Sequence, residues 1–400
     1  MKERFGEEGL MLETLAARHE FSLAAVKQLA KLYPIIRVES ILTSLKMPTR
    51  RYFLRVNTLK ATPTEVVKEL RELGLDAQVY EMLPDAIFLP VKGPFPVKRL
   101  NKVVVAKKDA AESVYQGANL YASGVLDARK VKEGDKVSVV NPRGCVAAEG
   151  VAMMDGDDMV TRKRGLAVLV DTSVYKVPSV RELDIYKKGL IYDQSFPSII
   201  AGHILSPKPD WLVIDMCAAP GGKATHAAQL MGGDGRVIAV DRSRGRVDKI
   251  KENAMRLGLS NVEARVADSR YLDVLEDDLV GADAVILDPP CSALGVRPNL
   301  YYEKEEREFQ ALTSYQRQFL GVAAKLLRRG GLLLYSTCTL TLEENEHNVL
   351  YAVEHYGFRP KRQTVFIGTT GFAGLTSHVQ RFEPDIHDTP GFFIALLEKI

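Results

Sequence analysis

The spacing of apolar positions changes character three times along the chain. Between residues 8 and 47 apolar side chains recur at helical intervals, as in Leu23-Ala24-Ala25-Val26 through Leu32, which predicts several short helices. At Tyr52 the pattern switches to alternation: YFLRVNT (52–58) reads as a strand. TPTEVVKELRELG then reads as a helix with Thr62 or Thr64 as N-cap and Gly74 as its stop. AQVYEM and AIFLP read as further strands, completing a small α+β unit over residues 1–93. Between Pro94 and Tyr175 short β-rich runs (VVVAKKD, DKVSVVNP, CVAAEGVAMM, LAVLVD) are broken by Gly, Pro and Asp, the rhythm of a compact β-barrel. One helical piece, ESVYQGANLYASGVL, interrupts them. A connecting stretch, 176–210, leads to a region over 211–400 where strand and helix alternate: WLVIDMCA, RVIAVD, NVEARVAD, ADAVILDPP and GLLLYSTCT, with GFFIALLEK closing the chain. Near-continuous apolar strands separated by helices predict a parallel sheet covered on both faces, an α/β fold of Rossmann-like type. The last strand is expected to add antiparallel at one side.

Composition narrows the classes. With 400 residues, two or three domains are expected, and 46% hydrophobic with 26% charged residues is ordinary globular composition. The net charge of +3 says little by itself, but residues 91–180 hold 15 Lys and Arg against 10 Asp and Glu. A basic module on a near-neutral one suits a phosphate-bearing partner. The four cysteines (Cys145, Cys217, Cys291 and Cys338) form no CxxC pair, so no metal site is expected and a reducing compartment is. No apolar run approaches the roughly 20 residues of a membrane span. MKERFGEEGL is too charged for a signal peptide, so the expected location is cytoplasmic and the expected state is a monomer.

Candidate chemistry gathers at strand ends. WLVID runs into Met216-Cys217-Ala218-Ala219-Pro220-Gly221-Gly222-Lys223 and then a helix, ATHAAQLM. A Gly-rich turn between strand and helix is where a doubly wound sheet binds its ligand. The turn is neither a Walker loop, which would need Gly at Cys217 and Ser or Thr at Ala224, nor a GxGxxG fingerprint. Asp241 ends the next strand, where a carboxylate can accept ribose hydroxyl protons, and Asp268 ends the third, placed for an adenine amino group. Singly these are ordinary polar residues at strand ends. Together with APGGK they point to a nucleoside cofactor without pyrophosphate, S-adenosylmethionine.

Asp288-Pro289-Pro290-Cys291 ends the fourth strand and Ser336-Thr337-Cys338-Thr339 the fifth, so two cysteines are expected at one pocket edge. A buried structural role suits Cys145 and Cys217. For Cys291 and Cys338 the chemistry of cytosine offers a better one. Carbon-5 is too weak a nucleophile unaided, whereas a thiolate adding at carbon-6 makes an enamine-like ring that can attack a methyl sulfonium. An acid at ring N3 assists, and Asp288 is the nearest candidate.

DMCAAPGGK, DPPCSALG and STCT resemble the motifs of the Sun/Fmu-type RNA cytosine-5 methyltransferases. Arg55-Val56-Asn57-Thr58-Leu59-Lys60 is similar to the RVN element of that family's RNA-binding region, and Tyr192-Asp193-Gln194-Ser195 to its lead-in to the catalytic domain. The resemblance implies that Cys338 is the nucleophile, that Cys291 promotes release, and that Cys217 through Lys223, Asp241, Asp268 and Asp288 contact the cofactor. Lys223 and Asp288 join the cysteines as catalytic candidates. In cytosine-5 DNA methyltransferases the cysteine of the PC motif attacks instead, so these roles rest on the resemblance. Pro390 stands where many members have Asp, which touches no catalytic role.

The insertion, through AESVYQGANLYASGVL and DKVSVVNPRGCVAAEGVAMM, resembles a PUA domain. Its internal position resembles the sixth Sun-domain type, which implies a tRNA acceptor-stem substrate, position 72, with the PUA domain on the 3′ CCA end. Lys98, Arg99, Lys102, Lys107, Lys130, Arg143, Arg162, Lys163 and Arg164 are candidate phosphate contacts, with a solvated surface position the commoner use of each taken individually. Tyr80, Tyr115 and Tyr121 are candidate stacking surfaces, with core packing the commoner use of such residues. The rivals are an rRNA cytosine-5 methyltransferase and a non-catalytic RNA-binding protein with a vestigial fold. DNA methylation is disfavoured by the PUA-like insertion and the second cysteine.

Overall fold

The computed structural model describes residues 2–275 and 277–400. Helices Lys2–His19, Leu23–Ala30 and Ile35–Leu45 open the chain. Their apolar faces (Leu15, Val26, Leu42) meet Leu294, Tyr302, Phe309 and Leu340, so they brace the C-terminal half of the molecule. A four-stranded antiparallel sheet follows, ordered Ile191–Asp193, Arg51–Val56, Ala86–Pro90, Gln78–Val79. Its helix, Pro63–Glu72, starts at Thr62, whose hydroxyl accepts from Glu65 N–H while Glu65 reaches back, and Pro63 occupies the first turn. Gly74, at φ +79°, follows the helix stop. The expected strand AQVYEM shrinks to Gln78–Val79, because Tyr80 N–H and Leu83 N–H turn back on Ala86 and Tyr80 carbonyls.

The insertion forms a six-stranded sheet ordered Leu120–Tyr121, Leu166–Ser173, Val146–Ala152, Lys136–Val140, Val103–Ala106, Val125–Asp127. It wraps a core of Val104, Ala111, Val139, Ala148, Met159 and Val168. The helix expected over 112–126 is corrected: the helix is Lys108–Tyr115, and the remainder is two short strands joined by a 3₁₀ turn. Gly117 at φ +100° ends the helix, and Gly124 packs its Cα against Ala110, where a Cβ would come within 2.7 Å.

The C-terminal half is built on a sheet ordered Val262–Val266, Arg236–Asp241, Leu212–Asp215, Ala282–Leu287, Leu327–Thr337, Phe392–Lys399, Val379–Phe382, Thr369–Thr370. The first five strands are parallel, and Phe392–Lys399 runs antiparallel beside Leu327–Thr337. Each central strand is buried on both faces: Val213, Val237 and Ala284 face one apolar cluster, and Ile214, Ile238 and Val285 the other. The strand order steps outward in both directions from Leu212–Asp215. Its C-terminal end is therefore the crevice where such sheets bind ligands. No helix among the described residues is long and apolar enough to cross a membrane.

Candidate active site

Residues 216–223 leave the central strand and turn into helix Gly222–Leu230. Gly221 sits at φ +109°, a conformation that L side chains rarely adopt, and Gly222 approaches the Tyr192 ring so closely that a Cβ would lie 3.4 Å from it. On one side of this loop, Cys217, Ala219, Asp241, Asp268, Asp288, Cys291 and Cys338 line a single cleft of about 260 Å³. On its other side, Ala218, Pro220, Gly222 and Lys223 line an adjoining cavity with Tyr192 and Asp288. Gly221 lines neither and supplies the turn.

The cleft suits the nucleoside cofactor. Asp241 Oδ1 accepts Ser243 N–H at 3.0 Å and Oδ2 meets Arg246 at 3.3 Å, leaving acceptor capacity for hydroxyl donors. Asp268 is held by Arg270, whose Nε donates to Oδ1 at 3.0 Å, and this pairing keeps its carboxyl below the usual range. Beneath the loop Asp215 is 1% exposed. Burial pushes its carboxyl up to about 7, against the opposing pull of Lys223. Several carboxylates around one cleft suit a cationic sulfonium better than a polyphosphate.

Lys223 Nζ donates to Asp288 Oδ2 at 2.5 Å, and Ser336 Oγ donates to Oδ1 at 3.2 Å. Burial works against the Lys223 charge, but Asp288 and Asp215 outweigh it and hold the ammonium above its ordinary value. The Cys291 and Cys338 sulfurs lie 3.2 Å apart. The Cys291 thiol is pushed well above its ordinary value, first by its hydrogen bond to Cys338 and then by burial. Burial and three nearby carboxylates also push the Cys217 thiol up.

Other sequence candidates divide. Lys102 pairs with Asp135, Arg143 with Glu303 at 2.5 Å, and Arg162 with Asp158 at 3.0 Å. Lys107, Lys163 and Arg99 donate to the carbonyls of Ser123, Val125 and Gly144. Lys98, Lys130 and Arg164 make no ion pair among the described residues. Tyr80 packs edge-on against Phe53 and Phe196, Tyr115 tilts onto Tyr175, and Tyr121 is 58% exposed.

Sequence reasoning missed the residues that hold the site. Arg55 is fully buried and donates to Gln194 Oε1 at 2.6 Å, Gly222 carbonyl at 2.8 Å and Thr225 Oγ1 at 3.0 Å, tying the 51–56 strand to the cofactor loop. Asp85 accepts from both His203 and His226 Nε2, at 2.7 and 2.8 Å, across the same boundary. Glu344 and Gln316 lie behind the cysteine loops. RVN hinted at the first of these; nothing local marked the others.

Comparison with known proteins agrees with this geometry. The 16S rRNA methyltransferase RsmB/F family matches residues 202–398, the PUA domain residues 102–174, and the RsmF/B-like ferredoxin-like domain residues 25–97. The chain is 45% identical to a tRNA (cytosine(72)-C(5))-methyltransferase of Pyrococcus horikoshii, over 90% of this chain and 92% of that one. It is 31% identical to human tRNA (cytosine(72)-C(5))-methyltransferase NSUN6, over 88% and 84%. The crystal structure of NSun6 from Pyrococcus horikoshii with SFG, an analogue of S-adenosylmethionine, superposes with a TM-score of 0.87 at 44% identity, over 95% of this chain and 99% of that chain. The chain belongs to the RsmB/F family of S-adenosylmethionine-dependent RNA cytosine-5 methyltransferases, with a PUA domain inserted in its N-terminal half.

Proposed function

We propose that the chain methylates carbon-5 of a cytosine in tRNA, at position 72 of the acceptor stem, through a covalent adduct between Cys338 and carbon-6. The observation that carries this reading is the 3.2 Å approach of Cys338 and Cys291 beside Asp288 and the cofactor cleft. The tRNA target draws its support from the similarity to tRNA (cytosine(72)-C(5))-methyltransferases over about nine-tenths of the chain.

S-adenosylmethionine, bound when active, supplies a methyl group on a cationic sulfur. Cys217 through Lys223, Asp241 and Asp268 are the residues that would hold it, with Asp241 toward the ribose and Asp268 toward the adenine amino group. The Cys338 thiolate adds to carbon-6 while ring N3 takes a proton. Asp288 accepts from the Lys223 ammonium at 2.5 Å, so the proton passes from that ammonium through the Asp288 carboxyl to N3 and returns by the same route at release. Once carbon-5 is methylated it loses its proton, the carbon-6–sulfur bond breaks, and Cys338 regains the electron pair. Cys291 assists that departure.

In this reading residues 1–93 and 94–175 grip the RNA, 176–210 return the chain, and 211–400 perform the chemistry. Asp193, Gln194 and Ser195 line both the cavity beside Lys223 and a second one bordered by Arg51, Tyr52, Arg297 and Gln116 of the insertion. That shared wall supports a single-stranded 3′ CCA end running from the catalytic cleft toward the PUA domain. A terminal stem pair is also the cheapest to open for the target base. The reading includes a cytoplasmic monomer, where four free thiols suit reducing conditions.

The test incubates wild type, Cys338→Ala and Cys291→Ala with cofactor and either unmodified tRNA or an rRNA fragment, followed by denaturing gels. Accumulation of a protein–tRNA adduct in Cys291→Ala and none in Cys338→Ala supports the reading. An adduct trapped by Cys338→Ala exchanges the two roles, and methylation of the rRNA fragment alone removes the tRNA assignment.

A further inference from the structure

A buried carboxylate stands behind the Cys291 loop, with no ion pair to it among the described residues. Glu344 is 0% exposed. Its Oε2 accepts Ser292 N–H at 2.8 Å and Gln316 Nε2 at 2.9 Å, and its Oε1 accepts the Thr341 hydroxyl at 2.9 Å. Gln316 Nε2 also donates to the Pro290 carbonyl at 3.0 Å. The residues on both sides of Cys291 are therefore tied, directly or through one amide, to this carboxylate. From the other side Ser292 Oγ meets Thr339 Oγ1 at 2.6 Å and Gly295 N–H donates to the Cys338 carbonyl at 3.0 Å, so the two cysteine loops are fixed to each other. A carboxylate whose partners are all neutral is an uncompensated negative charge in a low-dielectric interior, and its field falls on whatever can ionise nearby.

We propose that Glu344 is a positioning residue that keeps Cys291 a thiol, so that Cys291 acts in release as a hydrogen-bond donor to the departing Cys338 sulfur and not as the base that takes the carbon-5 proton. This specifies how the release role assigned above is carried out, and it rests on that assignment. The electron balance is complete without a Cys291 base. The carbon-5 proton passes to water, its bonding pair forms the carbon-5–carbon-6 double bond, the carbon-6–sulfur pair returns to Cys338, and N3 gives its proton back through Asp288. That sulfur, 3.2 Å from the Cys291 sulfur, is received by the S–H. The groups facing Cys291 are Cys338, Glu344 and Asp288, with the neutral phenols Tyr302 and Tyr335 beside them. Lys223, on the far side of Asp288, is bonded to that carboxylate. The ionisable neighbours thus oppose a second anion at Cys291, in keeping with the upward displacement of its thiol.

Glu344→Gln separates charge from geometry. Its amide oxygen still accepts from Ser292 and Gln316, and its amide nitrogen can donate to the Thr341 hydroxyl, which reverses its role. The RNA-free readout is alkylation of Cys291 by iodoacetamide against pH, followed by peptide mass spectrometry. The RNA-dependent readout is the lifetime of the tRNA adduct against pH. In Glu344→Gln the alkylation profile moves to lower pH, with roughly tenfold faster labelling at a fixed pH below the midpoint, and adduct release loses its rate at a lower pH than in wild type. Thermal unfolding of Glu344→Gln near wild type, with Glu344→Ala clearly lowered, shows that the fold tolerates the charge change. Alkylation and release profiles that coincide with wild type overturn the proposal and leave Glu344 a purely structural residue. A shifted alkylation profile in a protein whose adduct is trapped by Cys338→Ala would instead overturn the assignment of the nucleophile.

Discussion

Arg55→Ala tests whether the N-terminal sheet holds the cofactor loop. Arg55 lies fully buried, stacked 5.0 Å over the Tyr192 ring, with three hydrogen bonds onto Gln194, Gly222 and Thr225. Burial pulls its guanidinium down to about 10, still charged at neutral pH, so all three bonds are charge-assisted. Each such bond contributes about 1.5–3 kcal/mol against its unmade state, offset in part by the cost of burying the cation. Alanine leaves Gln194 Oε1 without its donor. Gly222 carbonyl loses the guanidinium and keeps a longer 3.3 Å contact from Thr225 Oγ1. The expected loss is about 3–5 kcal/mol in denaturant unfolding. Gly222 begins the helix that closes the cofactor turn, so S-adenosylmethionine affinity measured by calorimetry should fall about tenfold, or about 1.4 kcal/mol. Arg55→Lys keeps the charge but not the fork and should recover about half of the stability. Unfolding of Arg55→Ala within about 1 kcal/mol of wild type, with affinity unchanged, would falsify the account, since it would mean that the loop is held by its own turn alone.

Other consequences follow from the same geometry. Asp241→Asn, which keeps an acceptor for Ser243 N–H, should weaken S-adenosylmethionine binding by about tenfold while lowering unfolding stability by no more than about 1 kcal/mol, checked by calorimetry and denaturation. Asp288→Asn should keep cofactor affinity within a few-fold but lower single-turnover methylation by roughly 10²–10³, because the group that serves N3 is gone; an unchanged rate would remove Asp288 from that role. His226 is buried against Asp85, and burial pulls its imidazole down to about 4. Its folded value lies below its unfolded value, so the unfolded chain takes the proton first. Stability is therefore full above about pH 6.5 and declines as pH falls toward about 4, by about 2–3 kcal/mol if this group acts alone. His226→Gln should flatten that limb in denaturation series from pH 7 to 4, and a limb as steep as in wild type would place the acid sensitivity elsewhere.

Much of the site was legible because its chemistry is carried by consecutive residues. APGGK, DPPC and STC each follow an apolar run that can only be a buried strand, and parallel strands release their ends at one edge. The local pattern therefore fixed which side chains line the cleft. It failed over 112–126, where apolar spacing alone suggested one long helix while Gly117 and Gly124 divide it. RVN was read as part of an RNA-binding region, yet Arg55 points inward to Gly222, 167 residues away in sequence.

What the sequence by itself determined is the set of reactive groups and the sheet that presents them, since strand periodicity and turn chemistry act over a few residues. Only the tertiary structure decided how those groups are held and which of them can ionise. The partners of Asp85 lie 118 and 141 residues away, and Ser292 is joined to Glu344 across 52. A carboxylate or thiol takes its character from burial and from charges a few ångströms off, and these distances are set when distant segments pack.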